Sequence, residues 1–487
     1  MVLEQTLAVL LIAVALWTII SLYTKRNIIR FGKKYSHYTF YPIFGHYFQL
    51  RNKSMFDICI NEGIKKGFPY GCWLGHNFYY ATDDGEEIQT ILTHPNSWQK
   101  SEFYNTFRIG AWNSILLLPE KLWKPRRKFL AKNFSQPILN SYVQIFYRNS
   151  ETLIEKLKDV QNKNLFETFV CYAYDSFCET MTNKNYNIQT EEGSEVVKWI
   201  DHCQEILGDN IVRVGSGFFF AVLFVLTKTP KVFQLFKSIL LYRNFTQQLI
   251  VDREQELKKN IDENKTLLDS IIKADKKLYF NRTIINDELV TFTFAAADTS
   301  GNTLAFLSTL LGMHPNIQNK LYEEILEEIG PDRPIEASNL HSLKYTERVI
   351  LETLRLIPVI PTVGRYIADD IICGTKTIPK GVNTVLNIFG LHRNKKYWTD
   401  PLKFDPDRFL PEEIAKRPSY CYFPFSIGPR NCIGKTYALM NLKVAVANIV
   451  RNYEIVSNYK SVEEIDFRIF MTIKTKHNLD CRFKPRK

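Results

Sequence analysis

Residues 425–434 read FSIGPRNCIG and place one cysteine, Cys432, in a glycine-bracketed loop before an apolar helical run at 437–449. A free thiol is mostly protonated at neutral pH, but positive charge, aligned backbone N–H groups and a helix N-terminus lower its pKa. Arg430 and the predicted helix supply such a setting. The loop therefore predicts a thiolate ready to bind a metal. A buried, inert cysteine is the alternative, and we favour it for the other eight cysteines.

The spacing Phe-x-x-Gly-x-Arg-x-Cys-x-Gly in this loop resembles the haem-binding loop of the cytochrome P450 family. In that family the cysteine thiolate is the axial iron ligand and pushes electron density towards O–O cleavage. The resemblance implies a haem b cofactor whose metal ligand is Cys432. It also implies the family fold, a triangular, mainly α catalytic domain with a smaller β region.

The composition favours one large catalytic unit. No Gly/Ser/Pro-rich linker divides the 487 residues, and nine scattered cysteines without CxxC pairs argue against a disulfide framework or a zinc cluster. The net charge of +12 is dispersed, and 14% aromatic residues suggest a large apolar interior rather than nucleic-acid binding. We assign the excess charge to a membrane surface or an acidic protein partner.

Residues 1–24 are a candidate membrane anchor, because no charged residue lies between Glu4 and Lys25 and the stretch can just cross a hydrocarbon core of about 30 Å. A cleaved signal peptide is the alternative, but the basic residues follow the apolar stretch. The flank of a membrane-spanning segment that carries the basic residues stays in the cytosol. The expected organisation is an anchor at 1–24, a basic linker and hinge at 25–45, and a catalytic domain at 46–487 in the cytosol.

Apolar periodicity predicts a mostly helical body. The predicted helices are 86–92, 143–157, 195–207, 234–261 and 287–313. Short β-branched runs predict strands at 366–373 and 382–388. A second uncharged stretch at 214–227 is too short to span a bilayer, so it is either a buried helix or a segment that dips into the membrane.

Three arginines and a tryptophan are candidate haem-binding residues. Trp123 and Arg127 lie one helical turn apart on one face, and in the family this pair reaches a haem propionate. A guanidinium binds a carboxylate through two parallel hydrogen bonds, and an indole N–H adds a third. The resemblance assigns the same role to Arg430, two residues before Cys432, and to Arg365. Taken alone, Trp123 would be a core aromatic, and Arg127 and Arg365 would be surface charges.

Two other motifs resemble the family patterns Glu-x-x-Arg and Pro-x-Arg-Phe. They are Glu352 with Arg355, and Arg408 within 406–409. Glu352 and Arg355 can pair at i, i+3 on a helix, and Arg408 can add a second cation to the same carboxylate. We assign this triad a structural role in haem incorporation.

The segment 291–300 reads TFTFAAADTS and carries the candidate catalytic residues Asp298 and Thr299. Cleaving bound O2 requires two protons in a dry pocket, which calls for a small opening in the helix, an acid and a hydroxyl. Ala296 and Ala297 provide the room. Taken alone, the segment would be an ordinary alanine-rich helix with a solvated Asp-Thr step.

Two residues depart from the family pattern. Most relatives carry Gly where Ala296 stands, so a methyl group narrows the distal pocket. Residues 404–434 resemble the insect members of the fatty-acid ω-hydroxylase branch of the family. In that branch the position of Ala295 often carries a Glu, which forms an ester with haem. Alanine cannot form that ester, so we expect non-covalent haem, and fatty-acid hydroxylation does not follow from the resemblance.

The resemblance implies an endoplasmic reticulum (microsomal) monooxygenase that acts on apolar small molecules. Its expected partners are NADPH-cytochrome P450 reductase and, as a further electron donor, cytochrome b5. Family roles include oxidation of insect hormones and lipids and breakdown of xenobiotics such as synthetic insecticides. Two alternatives stay open: a reductase-independent haem-thiolate isomerase or dehydratase of oxygenated lipids, and a non-catalytic haem-containing binding protein.

Overall fold

The computed structural model describes most of the chain, namely residues 2–51, 53–54, 56–158, 164–215, 225–259, 266–274, 280–469 and 471–486. Helices dominate this part of the chain, and the strands form small sheets, which confirms the predicted fold class.

The α-helices in chain order are α1 Val2–Thr24, α2 Arg26–Lys33, α3 Tyr47–Leu50, α4 Glu62–Lys66, α5 Gly85–Thr93, α6 Glu120–Leu130, α7 Gln136–Ser141, α8 Val143–Leu157, α9 Leu165–Thr182, α10 Glu195–Gly215, α11 Thr229–Lys258, α12 Leu267–Ile272, α13 Arg282–Met313, α14 Pro315–Glu328, α15 Lys344–Leu356, α16 Ile388–Leu391, α17 Pro411–Ala415 and α18 Lys435–Asn452. The five predicted helices and the helical run after the Cys432 loop are confirmed, with ends that differ by up to eight residues. The last two residues of the predicted helix 234–261 lie outside the described residues. Helix α13 begins after Asn281, whose side chain accepts a hydrogen bond from the Ile284 N–H.

The strands are β1 Tyr70–Leu74, β2 Asn77–Thr82, β3 Gln99–Lys100, β4 Thr362–Tyr366, β5 Ile371–Cys373, β6 Lys376–Ile378, β7 Asn383–Asn387, β8 Tyr453–Val456, β9 Phe467–Ile469, β10 Ile473–Thr475 and β11 Arg482–Pro485. The main sheet has the order β1-β2-β7-β4-β3, and the other strands pair two by two. Only the β2–β7 pairing is parallel among the described strand pairs.

Both predicted strands need correction. The run 366–373 is not one strand: β4 ends at Tyr366, and β5 forms a separate hairpin with β6 around Gly374, which has φ +57°. The run 382–388 ends one residue early, because the Asn387 side chain accepts a hydrogen bond from the Gly390 N–H and starts α16. Turn and cap chemistry therefore overrides the apolar pattern at these ends.

Two large apolar clusters form most of the core of the described chain, and a third, small cluster joins α10 to α11. Of the two large clusters, the larger includes buried residues of α8, α9, α13, α15 and α18, and the smaller lies under the main sheet. Helix α13 packs against α9, and α18 packs against α8, α13 and α15. This packing holds the loop before α18 against the protein interior beside α13.

At the N-terminus, α1 leads into α2, and apolar side chains of α1 such as Val9, Ile12 and Ile19 are exposed. In the described part of the chain, no single helix is long and apolar enough to cross a membrane. The helical segments Ile12–Thr24 and Arg26–Lys33, with a bend of 68° between them, have the length and apolar composition for a crossing only when they are taken together. Most of the apolar stretch 214–227 lies outside the described residues; of those described, Val225 and Leu226 are exposed.

Candidate functional site

A tight backbone loop carries Cys432. The Cys432 N–H donates to the Phe425 carbonyl at 3.0 Å, which closes the loop. Inside it, Ser426 has φ +58° and Gly428 has φ +73°. A Cβ at position 428 would lie 2.3 Å from the Leu92 carbonyl oxygen, so only glycine fits there. The glycine before the cysteine is thus needed for both backbone conformation and close packing.

Cys432 differs from the other cysteines in its surroundings. Its side chain is exposed, whereas seven of the nine cysteines are buried and Cys203 is half-buried. The thiol is nevertheless closely surrounded by protein atoms, and burial by these atoms is the main cause that raises its pKa. The Gly434 N–H, Arg127 and Lys435 act against that rise and favour the thiolate.

The sequence analysis predicted that Arg430 lowers the pKa of Cys432. For the polypeptide without a bound metal this prediction is wrong, because the pKa is raised. Desolvation outweighs the nearby positive groups, and the Arg430 guanidinium donates instead to the carbonyls of Trp98 at 3.0 Å and Leu118 at 2.8 Å. A metal cation bound at the sulfur would deprotonate it outright.

The predicted haem-binding residues of α6 meet the Cys432 loop. Trp123 is buried, and the Arg430 guanidinium carbon lies 4.1 Å from the centre of its ring. The Arg127 guanidinium donates to the Asn431 side chain at 2.9 Å. Burial lowers the pKa of Arg430 to about 9, with Arg365 adding to the effect. The structure thus places Trp123, Arg127, Arg365 and Arg430 around one region.

Lys100 joins this group, and sequence reasoning did not find it. In the β3–β4 pairing Lys100 lies directly opposite Arg365. Burial, followed by the charges of Arg365 and Arg430, lowers the pKa of Lys100 well below its ordinary value. No local pattern marks a lysine in a two-residue strand, and only the pairing with a strand more than 260 residues later reveals it.

The cation group suits carboxylates such as haem propionates. Like charges directly opposite each other in a sheet destabilise it, so Lys100 and Arg365 favour an anion between or beside them. Within the described residues, the buried Nε and Nη2 of Arg365 and the Nη1 of Arg430 have no hydrogen-bond partner. Unpaired buried guanidinium groups are costly unless an acceptor meets them. These donors fit the acidic edge of haem.

The predicted Glu352 triad is confirmed as a buried ion-pair network. Arg355 donates Nε and Nη2 to the two carboxylate oxygens of Glu352 at 2.6 and 2.8 Å. Both side chains have 0% exposure, and Arg408 Nε lies 3.5 Å from Glu352 Oε1. Arg355 also donates to the carbonyls of His392 and Pro401. This network joins α15 to the chain segment that leads to the Cys432 loop.

The candidate catalytic residues lie in the middle of α13. Asp298 is buried, whereas Thr299 and Ala296 are half-buried and Ala295 is exposed. The Thr299 hydroxyl donates to the Ala295 carbonyl at 2.7 Å, and the helix runs without a break from Arg282 to Met313. The expected opening of the helix is absent in this described segment, because the hydroxyl bonds back to the preceding turn.

The role expected for Ala297 is also wrong. Ala297 has no exposed surface and packs in the larger core cluster, so it provides no room in a cavity. The accessible face of the helix is formed instead by Ala295, Ala296 and Thr299. Ala295 and Ala296 lie four and three residues before Thr299, and this spacing places them on the same side of a helix.

The family model for cytochrome P450 matches residues 37–480. The chain therefore belongs to the cytochrome P450 family, and it is a haem-thiolate monooxygenase. The predicted family, enzyme class and haem cofactor are confirmed.

Within that family the chain is homologous to the family-4 proteins. It is 29% identical to cytochrome P450 4V2 of Homo sapiens over 85% of this chain and 82% of the relative. It is 30% identical to cytochrome P450 4ae1 of Drosophila melanogaster over 85% of each chain. It is 31% identical to cytochrome P450 4c21 of Blattella germanica over 81% of each chain.

Proposed function

We propose that this cytochrome P450 inserts one oxygen atom from O2 into apolar organic substrates, with electrons that a flavoprotein reductase takes from NADPH. The observation that carries the proposal is the accessible side chain of Cys432, the one exposed cysteine among the described residues, in a loop next to a group of buried cations. In this proposal Cys432 ligates the haem iron, and Trp123, Arg127, Arg365 and Arg430 bind the propionates together with Lys100. When bound, haem supplies the binding and activation of O2.

The proposed proton relay uses Asp298 and Thr299. Asp298 is the acid, and the Thr299 hydroxyl lies on the accessible helix face, where it can pass a proton to a group bound against that face. Ala295 on the same face has no carboxylate with which to form an ester to haem. Haem is therefore held by the thiolate and by ionic contacts, and it is removable.

The proposed substrates are apolar molecules such as insect hormones, lipids and xenobiotics, including synthetic insecticides. This range is the one that the family resemblance implies, and insect family-4 proteins are among the relatives of this chain. A screen for substrate-induced spin-state shifts, followed by product analysis, narrows it to one class.

The reductase is proposed to dock beside the Cys432 loop. Lys121, Lys124 and Lys128 on α6 and Lys435 at the start of α18 are exposed there. An acidic protein face would be attracted to these lysines, and salt would weaken the association. The proposed location is the endoplasmic reticulum membrane with the catalytic domain in the cytosol, because Lys25, Arg26 and later basic residues follow the apolar α1.

The decisive test replaces the proposed ligand by Cys432→Ser. Wild type should give the red-shifted Soret band of a reduced, CO-bound haem thiolate, and the variant should lose it because an alcohol cannot replace the thiolate. Cys203→Ser is the matched control, since that thiol is half-buried and lies on α10. A Cys432→Ser protein with a near-normal red-shifted band would refute the assignment.

Dependence on NADPH separates the proposal from its alternatives. A monooxygenase forms oxygenated product only with NADPH, reductase and O2 together. An isomerase or dehydratase would turn over without them, and a binding protein would show spectral shifts but no product in a single turnover with reductase.

A further inference from the structure

Helix α6, which carries Trp123 and Arg127, has few buried apolar side chains to fix it. Its buried residues are Trp123, Arg126 and Leu130, which lie three and four residues apart on one side of the helix. An arginine thus occupies the middle of the buried side, where an apolar residue would be expected. Pro125 lies inside the helix and cannot donate the backbone hydrogen bond of its turn. The position of α6 therefore depends on what Arg126 contacts.

Arg126 connects α6 to α13 through Glu288. One nitrogen of its guanidinium, Nη1, donates to Glu288 Oε1 at 3.0 Å and to the Asn113 carbonyl at 2.6 Å. The side chains of Arg126 and Glu288 have exposures of 5% and 0%. The other carboxylate oxygen, Oε2, accepts a hydrogen bond from the Ile115 N–H at 3.0 Å. Glu288 therefore binds both α6 and the chain segment shortly before it.

Burial makes the Glu288 carboxylate dependent on these two partners. Burial raises the pKa of this carboxyl from 4.5 to about 7, whereas the Ile115 N–H and Arg126 act in the opposite direction. Asp287, the neighbouring acid on α13, adds to the rise and is itself paired with Arg243 of α11 at 2.6 Å. At pH 8 the carboxylate form prevails. Removal of one partner of a buried ion pair then leaves an uncompensated charge.

A second ion pair on the same segment offers an internal comparison. Arg243 Nη1 donates to the Gly110 carbonyl and to Asp287 Oδ1, both at 2.6 Å. Asp287 Oδ2 accepts a hydrogen bond from the Asn113 N–H at 2.9 Å. The bonding pattern repeats that of the first pair. Because Arg243 belongs to α11, the second pair holds the segment but contains no residue of α6.

We propose that Arg126 and Glu288 are a positioning pair for haem binding, an inference that rests on the proposed role of Trp123 and Arg127 as haem contacts. Successive residues on a helix point about 100° apart, so Arg126 reaches α13 while Arg127 donates into the Cys432 loop. The pair fixes α6 between α13 and that loop. It thereby keeps Trp123 and Arg127 where a propionate can meet them.

The test compares Arg126→Met, Arg126→Lys, Glu288→Gln and the double variant Arg126→Met/Glu288→Gln in the full-length haem protein at pH 8. Glutamine keeps an acceptor for the Ile115 N–H, and methionine keeps the apolar stem of arginine without its charge. The measurements are the rate of ferric haem transfer to excess apomyoglobin, the circular dichroism of the Soret band and urea unfolding. Arg243→Met and Asp287→Asn are the matched controls, because they break the second pair.

The single variants of the first pair should hold haem less well. Arg126→Met and Glu288→Gln should transfer haem roughly tenfold faster than wild type, the effect of losing one hydrogen bond between charged groups. Their Soret circular dichroism should also change, whereas the controls should match wild type in both measurements. Arg126→Lys should restore slow transfer, because a single nitrogen makes both contacts of Arg126 and an ammonium has three donors.

The double variant distinguishes positioning from general stability. It contains no unpaired charge at this site, so the free energy of unfolding should return towards that of wild type. Haem transfer should stay fast, because α6 still lacks its contact with α13. Recovery of slow haem transfer together with stability would overturn the inference.

Haem transfer and circular dichroism equal to those of the two controls, in both Arg126→Met and Glu288→Gln, would likewise refute the positioning role. If Arg126→Met does not fold, Glu288→Gln and the double variant still decide the outcome. Arg127→Met separates this role from the proposed haem contact. Wild-type haem transfer in Arg127→Met refutes the contact itself, whereas fast transfer there with control-like behaviour of the pair refutes only the positioning role.

Discussion

The buried side chain of His392 makes the stability of the folded protein depend on pH. It has 0% exposure, and its Nε2 accepts a hydrogen bond from the Phe423 N–H at 2.9 Å, two residues before the start of the Cys432 loop. Burial, followed by the charge of Arg355, lowers the pKa of His392 from 6.5 to about 3. The residue is therefore neutral in the folded protein at pH 7 and at pH 5.

The lowered pKa of His392 predicts a loss of stability in acid. Between pH 6.5 and about 3 the unfolded chain binds a proton that the folded chain does not, so the free energy of unfolding falls as the pH falls through this window. At pH 5 the contribution is about 2 kcal/mol. Urea unfolding at pH 7 and pH 5 measures it, and His392→Gln is the comparison because glutamine accepts the same hydrogen bond without titrating. Equal pH dependence in both proteins would contradict the prediction.

At the scale of elements, the buried Glu352–Arg355 pair ties α15 to the turn Pro406–Phe409. The pair is bidentate, and the Asp405 N–H donates to the same carboxylate at 2.9 Å. Removing one partner of a buried pair leaves an uncompensated charge. Loss of the carboxylate should therefore loosen the contact between α15 and this turn, which otherwise includes the more exposed pair of Arg348 and Asp407 at 3.5 Å.

Glu352→Ala should therefore abolish haem incorporation rather than only slow turnover, with a loss of about 3 to 5 kcal/mol in the free energy of unfolding. Haem per polypeptide and urea unfolding are the measurements. Glu413→Ala is the control, because Glu413 and Lys416 form an exposed i, i+3 pair at 2.6 Å, a kind of pair worth about 0.5 kcal/mol. Normal haem content in Glu352→Ala would refute the structural role.

At the scale of the whole molecule, exposed apolar surface is not confined to α1. Phe233, Phe236 and Leu240 of α11 have exposures of 72%, 53% and 60% and lie on one side of the helix. Val225 and Leu226, just before α11, are also exposed. Patches of this kind usually mark contact sites. We expect this surface to touch the membrane together with α1.

Deletion of residues 2–24 tests that expectation. The truncated protein should keep the reduced CO spectrum, because α1 lies outside both large core clusters, and it should still sediment with phospholipid vesicles. Adding Phe233→Ser and Phe236→Ser should then release it. A truncated protein with no affinity for vesicles would count against membrane contact at 225–240.

Local patterns were enough to identify the class of protein and to predict most of the residues of the proposed site. Cys432, Trp123 and the Glu352–Arg355 pair each lie in a motif of ten residues or fewer, within which spacing along one loop or helix decides which side chains can act together. Helix periodicity likewise predicted α8 at its observed ends.

Only the tertiary structure brought Lys100 opposite Arg365, turned Arg430 towards two carbonyls, and placed Lys474 on Asp298. These contacts join residues more than 170 positions apart, and no spacing rule reaches across such distances. The sign of the Cys432 pKa shift also depended on packing, because desolvation by surrounding atoms outweighed the nearby positive groups. Sequence thus determined which groups are present, and the fold determined which of them meet.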